Sequence, residues 1–82
     1  MRVNLYVPLT DTYHHDISFD NAVSICARLW ALYGDTKVVI INSSTNEHVT
    51  KFKLSNSKKW YTIEELVDLS PYYTHFNIVA MQ

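Results

Sequence analysis

Glycine occurs once in the 82 residues, at Gly34, and cysteine once, at Cys26. Loops that cradle phosphate need several glycines between a strand and a helix, so one glycine following a helix excludes nucleotide sites of that kind. One cysteine excludes an intramolecular disulfide and a zinc site built from several thiolates, and it fits a reducing, cytoplasmic setting. Charge of one sign is also scarce. Seven Lys and Arg against eight Asp and Glu leave a net charge of -1, too little to carry the chain onto DNA, RNA or an anionic membrane by net electrostatics. The longest apolar run, Val38 to Ile41, falls far short of a membrane span, and "MRVNLYVPLT" has no signal-peptide cleavage pattern.

What is present is apolar and aromatic: hydrophobic residues make up 48% of the chain and aromatic ones 13%. That suffices for one core in one domain over residues 1–82, with a stability of about 3 to 5 kcal/mol for so small a fold. A binding partner or a second copy of the chain would add to it.

Val3, Leu5 and Val7 alternate with Arg2, Asn4 and Tyr6, which predicts a strand over Arg2 to Val7 that Pro8 ends. The stretch Thr10 to Ser18 is polar and without a period, and reads as a loop. Ser18 is a candidate N-cap for a helix from Phe19 to Tyr33, whose apolar residues recur at helical spacing until Gly34 supplies a C-terminal stop. "KVVIIN", Lys37 to Asn42, predicts a strand buried on both faces or nearly so, and "HVTKFKL", His48 to Leu54, a hairpin partner across the turn residues Asn42 to Glu47. Thr62 and Glu65 match a capping box before a two-turn helix ending near Ser70 and Pro71, and "THFNIVAMQ" predicts a last strand.

The predicted order is β-α-β-β-α-β. It implies an α+β fold with a single four-stranded, mainly antiparallel sheet and both helices on one face, in a ferredoxin-like or related strand order. One feature conflicts with that order: it puts the second strand at an edge, yet "KVVII" is the more apolar of the two middle strands. An internal position for that strand, or a homodimer covering its edge, would remove the conflict.

The candidate sites compete with ordinary structural roles. "TDTYHHDISF" places His14 and His15 between Asp11 and Asp16, but adjacent imidazoles diverge in extended chain and are poorly placed to share a metal ion. A metal-dependent enzyme using His14 or His15 is therefore the least favoured reading, and no metal or cofactor is expected. Cys26, on the apolar face of its helix, reads as packing rather than as a nucleophile. Lys51, Lys53, Lys58 and Lys59, with Trp60 and Tyr61 beside them, suit a single nucleic-acid strand held by charge and stacking, although a lysine cluster near a hairpin also serves as a solvated edge. The glycine-containing aromatic run of sheet-based RNA-binding modules is absent. Tyr13, Trp60, Tyr61, Tyr72 and Tyr73 fall in or beside predicted loops, and such residues bury large areas at interfaces with little loss of rotamer freedom. The leading expectation is a small, non-enzymatic protein-binding module of the accessory or inhibitory kind that phages and mobile elements encode, anchored by these aromatics with the polar loop Asp11 to Asp16, His14 and His15 included, on the rim.

Overall fold

The computed structural model describes residues 1–55, 57–69 and 77–82. Val3, Leu5 and Val7 of strand β1 (Arg2–Val7) are buried, and Arg2, Asn4 and Tyr6 take the other face, as their alternation predicts. After β1, Pro8–Thr10 form a 3-10 turn, and Asp11, at φ 50°, donates its N–H to the Pro8 carbonyl at 3.2 Å. Aspartate tolerates this left-handed backbone better than most residues. The chain therefore turns straight back into β2 (Thr12–Ser18), which pairs antiparallel with β1.

The stretch expected to be a loop is thus largely strand. Its composition is polar because β2 lies at the edge of its sheet, with a paired strand on one side only among the described residues. Between Val3↔Ile17 and Leu5↔His14 the register shifts, leaving a bulge at which Asp16 adopts φ 50° and donates its N–H to Asn4 Oδ1 at 2.7 Å.

Helix α1 (Phe19–Tyr33) begins where the sequence predicts, with Ser18 Oγ accepting from the Asn21 N–H at 3.1 Å and Asp20 in the first turn. Phe19, Ala22, Val23, Cys26 and Leu29 form its buried stripe. The stripe is narrower than the sequence suggests, since Leu32 and Tyr33 are exposed. At Gly34, φ is +78° and the N–H closes on the Trp30 carbonyl at 2.9 Å; this backbone favours glycine over any residue with a Cβ.

Strand β3 (Val39–Asn42) pairs with the free side of β1, giving a first sheet of order β2-β1-β3. A second sheet of order β5-β4-β6 is built from β4 (Lys51–Leu54), β5 (Trp60–Thr62) and β6 (Ile78–Met81), again antiparallel. A 3-10 turn, Ile63–Glu65, and the single turn of α2 (Leu66–Leu69) follow β5. The Glu65 carboxylate accepts from the Thr62 N–H at 3.1 Å, so the capping box reads through from the sequence.

The class is α+β, but the single four-stranded sheet and the ferredoxin-like order are overturned: the described residues form two three-stranded antiparallel sheets. Two physical causes account for this. Strand β1 finds an antiparallel partner in the adjoining hairpin before the helix begins. The segment His48–Leu54, predicted as one strand, divides: His48 bridges to Ile41 of β3, whereas from Lys51 onward the chain belongs to the second sheet. The division falls at Thr50, where the N–H groups of Thr50 and Lys51 both donate to the Gln82 carbonyl, at 2.6 and 3.0 Å. The same bridge settles the conflict over "KVVII", because β3 lies between β1 and His48–Val49, with Ile40 buried and Val39 and Ile41 half-buried. Of the predicted last strand, Ile78–Met81 is β6, and residues 74–76 lie outside the described residues.

The inner faces of both sheets and the α1 stripe contribute to one buried cluster, within which Phe52 and Leu5 are the largest side chains with almost no exposure. Truncating a buried phenylalanine costs about 3 to 5 kcal/mol, comparable to the whole stability of a fold this small. Phe52→Ala is therefore expected to be largely unfolded in the absence of denaturant. Val79→Ala, at a side chain 52% exposed, should change the unfolding free energy read from a urea titration by no more than about 0.5 kcal/mol; a folded Phe52→Ala protein would refute the placement of Phe52.

Candidate functional site

The register of the first hairpin determines which side chains reach solvent together. Directly opposed residues share a face, so Leu5↔His14 and Val7↔Thr12 lie on the core side and Tyr6↔Tyr13 on the outer side. The Tyr6 and Tyr13 rings stack at 4.3 Å between centroids, and Tyr13 stacks on His15 at 5.7 Å with planes 6° apart. The result is a row of three rings, Tyr6, Tyr13 and His15, running across the outer face of the sheet, with Tyr13 57% exposed. Val39, opposite Tyr6, and Ile41, opposite Asn4, extend this face along β3.

Polar contacts brace both ends of the row. Tyr6 Oη donates to Asp11 Oδ1 at 2.9 Å. That hydrogen bond to a carboxylate raises the Tyr6 phenol above its ordinary pKa, with desolvation and the Asp11 charge acting in the same direction. At the other end, Asp16 Oδ1 accepts from Arg2 Nε and from Ser43 Oγ, each at 3.3 Å, while Arg2 Nη2 also donates to the Asp16 carbonyl. Both partners of the Arg2–Asp16 pair are well exposed, so its effect is chiefly to orient the bulge.

A second face, on the other sheet, gathers lysines. Lys53 sits opposite Trp60 on one side and Ala80 on the other, and Lys51 opposite Thr62, so these side chains share the outer surface of that sheet. Lys58 is exposed in the β4–β5 connection. Lys59 is already engaged: its Nζ is 3.3 Å from Glu65 Oε2 and 5.0 Å from the Tyr61 ring centroid. Tyr61 turns inward and stacks on Phe52 at 5.6 Å. Glu65, receiving the Thr62 N–H first of all and Lys59 besides, has its carboxyl pKa lowered.

The predicted site residues therefore separate. Tyr13 and His15 come together, whereas His14 points to the opposite face of β2, half-buried across from Leu5. Trp60 lies with Lys53 on the second sheet, Tyr61 packs in the core, and Tyr72 and Tyr73 lie outside the described residues. Among the described residues no group of three His, Cys, Asp or Glu side chains could hold a metal ion, and no helix is long and apolar enough to cross a membrane. Cys26 is fully buried, and burial pushes its thiol pKa up to about 12, which suits packing and not nucleophilic chemistry. Sequence reasoning missed Tyr6 as a member of the site and placed Asp11 only in a polar loop at its rim, without the hydrogen bond that ties the two together. The signal was available in the β1 alternation, which already turns Tyr6 outward, but it gains meaning only once Thr12–Ser18 is recognised as the pairing strand.

No protein family, curated protein or solved structure matches this chain.

Two measurements follow from this chemistry. Asp11→Asn should bring the Tyr6 phenol back toward about 10, the ordinary tyrosine value, in an ultraviolet titration of tyrosinate. Since the folded-state pKa is the higher one, the stability linked to Tyr6 is intact below the unfolded-state value and is lost as pH rises through the folded-state value. An unchanged titration would show that Asp11 does not hold the phenol. For Glu65 the sign reverses: its contribution is present above about 4.3 and disappears as acid protonates it through its lower folded-state pKa, so Glu65→Gln should flatten the acid limb of a stability–pH curve.

Proposed function

We propose that this protein acts by binding another protein, as a small accessory or inhibitory module in a reducing, intracellular compartment, and turns over no substrate. One observation carries the reading: the Tyr6–Tyr13–His15 row stands on an open sheet face, stacked and braced before any partner arrives. Rings held in place lose little freedom on docking, and tyrosines are among the residues that most often dominate binding energy. The exposed strand face beside Val39 and Ile41 offers apolar area around them.

A second reading has its own support. Lys53 opposite Trp60, with Lys51 and Lys58 nearby, suits a single nucleic-acid strand held by charge and base stacking. It is the weaker reading because Lys59 and Tyr61, the other members of that cluster, are engaged with Glu65 and Phe52.

Affinity capture from lysate of the native host distinguishes the two. The expected result is one protein retained stoichiometrically by the wild-type chain, insensitive to nuclease, and lost with Tyr13→Ala, which should cost more than about 2 kcal/mol without altering the fold by circular dichroism. Retention that survives Tyr13→Ala would remove the row from the interface. Retention abolished by nuclease and by moderate salt, and weakened by Lys53→Ala, would transfer the function to nucleic acid.

A further inference from the structure

Where β3 and the chain leading into β4 begin to pair and then part, they leave an open trough of about 470 Å³. Ile41 bridges to His48, the Asn42 N–H donates to the Glu47 carbonyl at 2.8 Å, and the Val49 N–H to the Ile40 carbonyl, also at 2.8 Å. Continued in the same antiparallel register, Val38 would face Lys51. That pairing never forms. The Lys51 N–H donates to the Gln82 carbonyl at 3.0 Å, its carbonyl accepts from the Gln82 N–H at 2.9 Å, and Thr50 is likewise committed to Gln82 and Ile63. A strand directs the backbone groups of alternate residues to the same edge; Val38 lines the trough just before β3 begins, and an incoming chain that extends the β3 alternation by one residue would meet its N–H and carbonyl there, two positions before Ile40.

The rest of the trough fits an extended chain. Val38, Ile40, Val49 and Ile63 supply an apolar floor, while Lys37, His48 and Lys51 are exposed lining residues at the rim, as is Glu64. In a chain of net charge -1 this rim is locally cationic. We propose that the trough receives an extended, carboxylate-bearing segment of a partner protein, which adds as a strand along Val38 and places an acidic side chain between Lys37 and Lys51. Backbone pairing supplies affinity in this mode, and side chains at alternate positions supply selectivity. The trough shares Val39 with the face of the aromatic row but includes none of its three rings, so its test leaves that reading untouched.

The probe is a phage-displayed random peptide library panned on the full chain, followed by titration of a selected synthetic peptide into 15N-labelled protein. The expected selection is peptides alternating β-branched residues with Asp or Glu, and the expected amide shifts centre on Val38, Ile40 and Val49. Lys37→Glu combined with Lys51→Glu should weaken binding by about tenfold or more, as reversal of charges at a contact does. Val38→Pro removes the N–H without touching either charge and should abolish binding, with the amide spectrum of each variant confirming that it is folded. Tyr13→Ala should leave the affinity unchanged. Three results would overturn the proposal: no enrichment over the charge-reversed protein, selected peptides without carboxylates, or shifts confined to Tyr13 and His15.

Discussion

The architecture depends on a meeting of two rings. Phe19, the first residue of α1, and Phe52, at the centre of the second sheet, lie 5.5 Å apart between centroids. A three-stranded sheet of short strands cannot bury enough apolar surface to hold itself together. Here two such sheets share one helix: through the Phe19–Phe52 contact the α1 stripe, Val3, Leu5 and Val7 of the first sheet, and Phe52 and Leu54 of the second fall into a single buried cluster that also holds Leu66. Tyr61 extends the aromatic packing beyond Phe52. With the inner faces occupied in this way, the outer faces remain for display.

The parts of the fold that were legible in the sequence are those governed by near neighbours. Arg2–Val7 follows from alternation, and Phe19–Tyr33 from its Ser18 cap and Gly34 stop. Burial of Cys26 follows from its position on the helical stripe. The failures have different origins. Thr12–Ser18 is a strand through its register with β1, and its polar composition reflects an edge position that local pattern does not reveal. Trp60–Thr62 is three residues long, too short for a period to register. The partition into two sheets depends on Gln82 meeting Thr50 and Lys51, a contact between distant parts of the chain that no window contains.

The candidate site shows the same division. Tyr13 and His15 were singled out for their chemistry, yet what makes them a surface is Tyr6, contributed by a strand whose other face is pure core. His14, chosen on the same grounds as its neighbour, is separated from it by the pleat alone. Tyr61 was grouped with Trp60 because they adjoin in sequence, and the pleat of β5 sends one to the core and the other outward. Residue type identified the candidates; only pairing sorted them.

The bulge at Asp16 has an arithmetic consequence. His14 and Ile17 are three positions apart, an odd separation, yet both lie opposite core residues, Leu5 and Val3. In an unbroken strand an odd separation sends two side chains to opposite faces. The extra residue changes the parity of β2 midway, so Ile17 can seal the core beside α1 while Tyr13 and His15 stay outside. Removing one residue there would force a choice: keep Ile17 inside and turn the rings into the core, or keep the rings outside and expose Ile17. The left-handed backbone of Asp16, held by Asn4 and Arg2, is what lets one strand serve the interior at one end and the surface at the other.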